Sequence, residues 1–380
     1  GKAVIKQQAY LNKINVFPVA DADTGINLAM TMQAILERSK IARSLHETMR
    51  SVADAALMGA RGNSGIIFAQ FLHGLSRELP EKGMLSVKHF ALSSQKAVTH
   101  LYNSLVNPVE GTMLTVIREW ADYLVENSQK TPDFLHLLTD SLITARKSLK
   151  ETPQKLKVLA DAGVEDAGAS GFVYFLEGMV DFIHKGSLRQ IRESIGNIDV
   201  PANSETHTEA PGTYRYCTEA ILSGSSRSLN MLKGILGAHG DSLILAGDTA
   251  KLHIHIHTND PDRLFDELFM LGDVSGAKVD DMLRQHQISH QRKHSIGIVT
   301  DSACDLPLEL LDEYQITQIP FGITIGKRFY LDKYSIGARR FYRMLKTDKS
   351  HPVSSQPSPA TVKTIVDFAA GNFDRVIAVH

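Results

Sequence analysis

The hydrophobic period changes once along this 380-residue chain, and a polar, aperiodic tract marks the change. From Ala3 to about Lys185 apolar residues recur at helical spacing, as in Leu28-Ala29-Met30-Thr31-Met32-Gln33-Ala34-Ile35-Leu36 and Phe134-Leu135-His136-Leu137-Leu138. Residues 191–212 lose that spacing and contain Pro201-Ala202-Asn203-Ser204-Glu205-Thr206-His207-Thr208-Glu209, a composition that suits a linker. After it, the pattern predicts strands over 216–222, 242–246 and 251–258, with helices over 228–235 and 262–271. A further strand, Ile296-Gly297-Ile298-Val299, runs into Thr300-Asp301-Ser302, and Leu306 opens a helix. Val376-Ile377-Ala378-Val379-His380 reads as another buried strand, which places the end of the sequence inside a domain. The expected fold class is therefore multidomain. It has an all-α domain over 1–190, a linker over 191–212, a small α/β domain over 213–292 and a partial α/β domain over 293–380.

At 43% hydrophobic and 22% charged, the chain has enough apolar material for several cores. A formal net charge of −1 creates no global field that would attract nucleic acid or an anionic membrane, so any anionic ligand must be held locally. No apolar run is long enough for a transmembrane segment, and Gly1-Lys2-Ala3-Val4 lacks the organisation of a secretory signal, so a cytoplasmic location is expected. The two cysteines, Cys217 and Cys304, lie far apart in sequence, which favours reduced thiols over a disulfide.

Four loops in the helical part place small and polar residues directly before helices. In Asn15-Val16-Phe17-Pro18-Val19-Ala20-Asp21-Ala22-Asp23-Thr24-Gly25-Ile26-Asn27 two carboxylates stand one residue apart. They repel unless a cation sits between them, and hard oxygen donors in a tight loop suit Mg²⁺. Helix capping by Asp21 or Asp23 explains the same pattern. The second loop, Gly59-Ala60-Arg61-Gly62-Asn63-Ser64-Gly65-Ile66, lets backbone N–H groups approach phosphate closely. The others are Pro108-Val109-Glu110-Gly111-Thr112-Met113-Leu114 and Asp161-Ala162-Gly163-Val164-Glu165-Asp166-Ala167-Gly168-Ala169-Ser170-Gly171. Four such loops in one domain suggest a shared site.

In Lys251-Leu252-His253-Ile254-His255-Ile256-His257-Thr258 three histidines fall on one face of a strand, roughly 6–7 Å apart, with aliphatic residues between them. Cys217, on another strand, offers the thiolate that completes a Cys217-His255-His257 set suited to Zn²⁺. An exposed sheet face carrying satisfied imidazoles is the alternative. Farther on, the loop Thr300-Asp301-Ser302-Ala303-Cys304-Asp305 opens a helix and could present N–H and hydroxyl donors to a carboxylate or phosphate. A simple cap explains Asp301, Ser302 or Asp305 equally well.

The four loops, in order and wording, resemble the nucleotide-binding domain of bacterial fatty acid kinases, itself related to the L subunit of dihydroxyacetone kinases. The resemblance covers about residues 3–185 and implies an antiparallel barrel of helices whose loops hold ATP and Mg²⁺ at one end. Asp21 and Asp23 would carry the metal, with Asn15 or Thr24 as additional ligands. Asn27, Asn63, Ser64, Gly65, Thr112, Met113, Asp166 and Gly168 would line the nucleotide. Where that family has Asp-Gly-Asp this chain has Asp21-Ala22-Asp23. Tyr216-Cys217-Thr218-Glu219, Gly240-Asp241-Ser242-Leu243 and His255-Ile256-His257-Thr258-Asn259-Asp260-Pro261 resemble the middle domain of the same kinases. His255 and His257 match its paired histidines, while His253 is extra. In the related dihydroxyacetone kinases a histidine on another subunit holds the substrate, which gives His257 a substrate-handling role as a second expectation.

Residues 294–380, through Ile298 to Pro307 and Val353-Ser354-Ser355-Gln356-Pro357-Ser358-Pro359, resemble the first third of DegV-type fatty-acid-binding proteins. By that resemblance Ser302 and Ser354 approach the fatty acid carboxylate, Ser354 standing where the family often has Thr. The reaction implied is Mg-assisted phosphoryl transfer to the carboxylate of a protein-bound fatty acid, supplied in cis or in trans, and a homodimer is also implied. A carboxylate acceptor needs no general base, in keeping with the lack of a Ser–His–Asp pattern. Phosphorylation of a dihydroxyacetone-like small molecule and a catalytically silent lipid-binding or regulatory role are the competing readings.

Overall fold

A computed structural model describes residues 1–18, 23–131, 133–185 and 213–380. The chain divides into two compact units, Gly1–His207 and Thr208–His380. The expected linker at 191–212 lies outside the described residues.

The first unit is helical. It comprises α1 (Lys2–Lys6), α2 (Gln8–Lys13), α3 (Thr24–Arg38), α4 (Leu45–Gly59), α5 (Gly62–Glu78), α6 (Val87–Ser104), α7 (Met113–Asn127), α8 (Phe134–Lys150), α9 (Thr152–Lys155), α10 (Lys157–Ala162) and α11 (Ala167–Lys185). Local chemistry sets the starts. Ser44 accepts the Glu47 N–H ahead of α4, Ser86 accepts the His89 N–H ahead of α6, and Asp133 accepts the Leu135 N–H ahead of α8. Along α7 the buried residues Met113, Ile117, Trp120, Ala121 and Leu124 form the stripe that turns inward. Trp120 centres the core, with Phe71, Phe90 and Phe172 edge-on at 6.2, 6.2 and 5.6 Å between ring centroids. Its indole N–H donates to Ser141 Oγ at 3.0 Å, so the one polar atom of that ring is satisfied. From α3 to α8 each helix packs on the next. α11 packs on α7 and α8 and returns to α1, α2 and α3, closing the circuit.

The second unit opens with an antiparallel sheet in the order β2-β3-β1-β4. Its strands are β1 (Tyr216–Ser223), β2 (Asp241–Asp248), β3 (Lys251–Thr258) and β4 (Asp273–Asp281). Two helices, α12 (Leu229–Gly237) and α13 (Pro261–Leu271), press Leu232, Leu236, Leu264, Phe265 and Leu268 against Leu222, Leu245, Ile254 and Ile256. The other face of β1 and β3 therefore carries Cys217, Glu219, His253, His255 and His257. α14 (Met282–His290) leads into a parallel sheet ordered β10-β5-β6, made of β5 (Ile296–Asp301), β6 (Thr317–Ile319) and β10 (Arg375–Val379). α15 (Leu308–Glu313) joins β5 to β6. A small antiparallel sheet follows, with β7 (Gly322–Ile325) between β8 (Arg328–Leu331) and β9 (Val353–Ser355), together with α16 (Ala338–Thr347) and α17 (Pro359–Asn372).

These pieces of the second unit are joined by charge. Arg215, just before β1, donates to Asp281 at 2.9 Å and to Asp312 of α15 at 2.8 Å. Arg340 of α16 donates to Asp262 at 2.7 Å and Asp266 at 2.5 Å on α13. Tyr216 meets Tyr334 edge-on at 6.0 Å, and Phe269 meets Tyr330 at 4.9 Å.

Two expectations need correction. β10 forms where the sequence predicts it but is not buried. It is an edge strand, and Ile377 and Val379 are about half exposed, at 51% and 54%. β4 was not anticipated. Asp273-Val274-Ser275-Gly276-Ala277-Lys278-Val279-Asp280-Asp281 is too polar to read as a strand, and it bends at a register shift opposite Glu219 and Ile221, near Gly276 at φ 61°.

Candidate functional site

In the helical unit the four loops precede α3, α5, α7 and α11, and two glycines show how closely they approach one another. Gly62, at φ 56°, lies against the Asn27 amide, so a side chain there would collide with it. This joins the first loop to the second. A Cβ on Gly168 would sit 3.1 Å from Ser64 Oγ, 3.1 Å from Met113 Cε and 3.3 Å from Asp166 Oδ1. One glycine therefore touches the second, third and fourth loops.

Asp166 is nine-tenths buried or more and accepts the Ala169 N–H at 2.7 Å, capping α11. Burial raises its carboxyl to about 6, against the lowering effect of the Ala169 and Met113 N–H groups. Its own N–H donates to Thr152 Oγ1 at 3.2 Å. Thr112 stands at the N-cap of α7, donating to the Val109 carbonyl at 2.7 Å and accepting the Leu114 N–H at 3.4 Å. Thr24, Asn27 and Asn15 are buried, Gly65 is buried on the first turn of α5, and Asn63 and Ser64 are half-buried beside it. Asp23 occupies the N-cap position of α3, yet its side chain makes no capping bond. The capping explanation therefore fails for Asp23. Asp21 and Ala22 lie outside the described residues.

Sequence reasoning missed the brace behind the third loop. Gly111 N–H donates to Thr115 Oγ1 at 2.8 Å, and that hydroxyl donates to Glu110 at 2.5 Å. Glu110 also accepts from Tyr102 at 2.9 Å and Arg118 at 2.9 Å. The signal was present as Thr115 four residues after Gly111, a spacing that returns a side chain to the loop from the first helical turn.

In the second unit, donor atoms of Cys217, His255 and His257 all lie within 4.8 Å of one another. The register explains the grouping: Cys217 pairs with His257, and Glu219 with His255, across β1 and β3. Cys217 Sγ is 3.7 Å from His255 Nδ1, and the His255 and His257 rings are 5.0 Å apart. His253, His255 and His257 expose only 2%, 1% and 7% of their surface, so the reading of an exposed sheet face is overturned. Burial and the neighbouring His255 push His257 down to about 3, outweighing Glu219, so its imidazole is neutral, the form that binds metal. Asp241 approaches His257 Nδ1 at 3.4 Å. His253 turns to Glu219 at 3.9 Å instead of joining the group. Glu219 itself is buried; burial alone would raise its carboxyl, but Lys278, His255 and His253 hold it well below the usual range. Lys278, whose ammonium burial alone would lower, is held above its usual value by Asp280 and Glu219.

Ser302 is buried, and its Oγ accepts the Phe321 N–H at 2.9 Å. Ser354 is exposed in β9, paired with Ile323. Ser302 thus touches the residue just before β7, while Ser354 pairs with a residue within β7. Asp301 accepts the Ala303 N–H at 2.9 Å and closes a turn, whereas α15 starts only at Leu308 with Pro307 at its N-cap and no side-chain cap, so the helix-cap reading fails here.

Three family models match the chain in order: a DAK2 domain over residues 18–181, a middle domain like that of fatty acid kinase over 213–289 and the uncharacterised DegV family over 295–380. An uncharacterized protein of Staphylococcus saprophyticus is 31% identical over 298 residues, covering 76% of this chain and 54% of the relative. One from Staphylococcus aureus (strain USA300) is 29% identical over 299 residues, covering 75% of this chain and 54% of its own length. The chain thus spans about half the length of the curated relatives it matches. Among the described residues no helix is long and apolar enough to cross a membrane. With its helical unit, metal-suited sheet and Ser302 loop falling in turn within these three matches, the chain has the domain architecture of the fatty acid kinases, a DAK2 domain followed by the kinase-type middle domain and a DegV segment.

Proposed function

We propose that this chain transfers the γ-phosphoryl group of ATP to the carboxylate of a protein-bound fatty acid, releasing ADP and an acyl phosphate. The observation that carries the reading is the meeting of four helix-opening loops at Gly62 and Gly168. Four helices begin there, and each N-terminus contributes unsatisfied N–H groups and the positive end of its dipole, which favours a polyphosphate. Asn27, Asn63, Ser64, Gly65, Thr112, Met113, Asp166 and Gly168 line that space in this reading, and Asp21 and Asp23 hold Mg²⁺. The ion, when bound, supplies the charge that neutralises the phosphate oxygens. The residues of the chain hold donor and acceptor in line, and the closed circuit of helices supports the barrel that the family resemblance implies. The acceptor oxygen is already a carboxylate, and its attack on phosphorus needs no proton removal.

The DegV-family segment, with Ser302 and Ser354, is assigned to the fatty acid carboxylate, the acid being supplied by this segment or by a complete protein of that family. Cys217, His255 and His257 are assigned to Zn²⁺. The buried imidazoles of His255 and His257, beside the half-buried Cys217 thiol, fit that ion, and the assignment takes His257 out of direct substrate handling. The DAK2 match favours one second reading, phosphorylation of a small hydroxyketone. Labelled Mg-ATP, offered with free fatty acid, a fatty-acid-loaded DegV-family protein and dihydroxyacetone in parallel, separates the two. Label in the lipid supports the proposal. Label only in dihydroxyacetone supports the alternative, and label in neither overturns both.

A further inference from the structure

Lys333 is held in the left-handed region at φ 66°, a conformation that residues other than glycine seldom adopt. The turn around it is tied at several points. Lys333 N–H donates to the Ile336 carbonyl at 3.1 Å, and the N–H groups of Tyr334 and Ser335 both donate to the Leu331 carbonyl, at 3.2 and 2.8 Å. Ser335 Oγ accepts the Leu331 N–H at 2.6 Å. Glycine would fill this position without strain, so a lysine kept here points to a use for its side chain.

That side chain reaches the loop that carries Ser302. Lys333 Nζ donates to the Cys304 carbonyl at 2.5 Å and lies 3.2 Å from Asp305 Oδ1. Residues 301–304 form a tight turn, with the Cys304 N–H on the Asp301 carbonyl at 3.2 Å. Ser302 Oγ accepts the Phe321 N–H at 2.9 Å, and the Phe321 carbonyl accepts the N–H of Asp332, the residue before Lys333, also at 2.9 Å. The Ser302 hydroxyl and the Lys333 turn are thus set by the two polar groups of one residue. The loop does not need the ammonium for its own shape, since Gln318 Nε2 already reaches the Asp301 and Cys304 carbonyls at 3.4 and 3.3 Å.

Charge supplies the use. A fatty acid carboxylate assigned to Ser302 enters beside Asp301 and Asp305, and like charges oppose it. The other charged contacts of this loop are His380, whose Nδ1 is 3.4 Å from Asp301 Oδ2, and Lys333. Among the described residues Lys333 carries the one ammonium or guanidinium group with a hydrogen bond or ion pair to residues 301–305. An ammonium has three N–H donors; Cys304 and Asp305 take two, and the third is left for a ligand. Asp305 is 94% exposed, so water weakens that pair and the ammonium can turn to an incoming anion.

We infer that Lys333 selects an anionic head group in this segment, its ammonium and the Ser302 hydroxyl together holding the fatty acid carboxylate. The inference rests on the assignment of this segment to a fatty acid and adds the positive charge that two serines lack.

The test measures binding of radiolabelled dodecanoate and dodecanol, equal in chain length and different in charge, to the whole chain by equilibrium dialysis. Wild type, Lys333→Gly and Lys333→Arg are compared. Wild type is expected to prefer the acid. Lys333→Gly loses about tenfold in affinity for the acid, the scale of one charge-assisted hydrogen bond, and little for the alcohol. Lys333→Arg keeps the preference. Glycine suits φ 66°, so the thermal midpoint of Lys333→Gly stands or rises, which separates the effect from loss of fold. Acid affinity unchanged in Lys333→Gly, equal losses for acid and alcohol, or a wild type with no preference for the acid overturns the role of Lys333 and leaves the fatty acid assignment standing. No binding of either probe by wild type overturns both.

Discussion

Gly168 and Ser64 stand on different loops, yet a single added carbon on Gly168 would come within 3.1 Å of the Ser64 hydroxyl. Contacts this tight leave the neighbours a few tenths of an ångström to give. The loops of the helical unit are thus packed to a fixed spacing.

Gly168→Leu should therefore block the site. The larger side chain meets Ser64, Met113 and Asp166 together, and overpacking of this kind costs about 1–3 kcal/mol. Calorimetric titration should show Mg-ATP binding lost, while circular dichroism still reports the helices. Unchanged affinity would mean the nucleotide binds elsewhere.

Asp166 gives a pH signature. Its folded-state value of about 6 lies above the ordinary 3.8, so the folded chain holds that proton more tightly than the unfolded chain. The stabilisation is fully present below pH 4 and is lost as pH rises through 6, at most about 3 kcal/mol. Urea denaturation without nucleotide, run from pH 4 to 7, should show Asp166→Asn removing about one proton from the slope. Parallel slopes for the two chains would show that Asp166 does not titrate there.

The helical and strand segments were legible because burial on one face imposes a period: the α7 stripe and the β3 alternation both announce themselves. β4 was not, since an edge strand built from Asp273, Ser275, Lys278 and Asp280 carries polar residues that a buried strand would exclude. His255 and His257 could be named from alternation alone. That Cys217 and Glu219, two residues apart on β1, face them depends on the antiparallel register with a strand more than thirty residues later. The misread β10 shows the converse limit, since an apolar run specifies a strand without saying which neighbours cover it.

Thr115→Val should loosen the third loop. Thr115 is fully buried, and its hydroxyl both accepts from Gly111 and donates to Glu110. A methyl in its place leaves the Gly111 N–H without that acceptor, at about 1–3 kcal/mol. The thermal midpoint should fall, and the KM for ATP should rise by about tenfold, the equivalent of 1.4 kcal/mol. Thr115→Ser, which keeps the hydroxyl, should restore most of both. A KM that stays at the wild-type value in Thr115→Val would detach this brace from the nucleotide.

Arg340 tests the joint inside the second unit. Its side chain is largely buried and donates to Asp262 and Asp266. Arg340→Ala leaves those carboxylates, which are 31% and 45% exposed, without it, so solvent offsets part of the loss and about 1–3 kcal/mol is expected. Chemical denaturation should show the transition of this unit moved to lower denaturant. An unmoved transition would mean the ion pairs contribute nothing net.

The most direct test of the central claim is trapping of acyl phosphate with hydroxylamine after incubating the chain with Mg-ATP and a fatty-acid-loaded DegV-family protein. The account expects fatty acyl hydroxamate with the wild-type chain, dependent on ATP and Mg²⁺, and none with Asp23→Ala, whose helices are checked by circular dichroism. Hydroxamate formed equally by Asp23→Ala would contradict the metal assignment, and no hydroxamate from the wild-type chain would contradict the kinase reading itself.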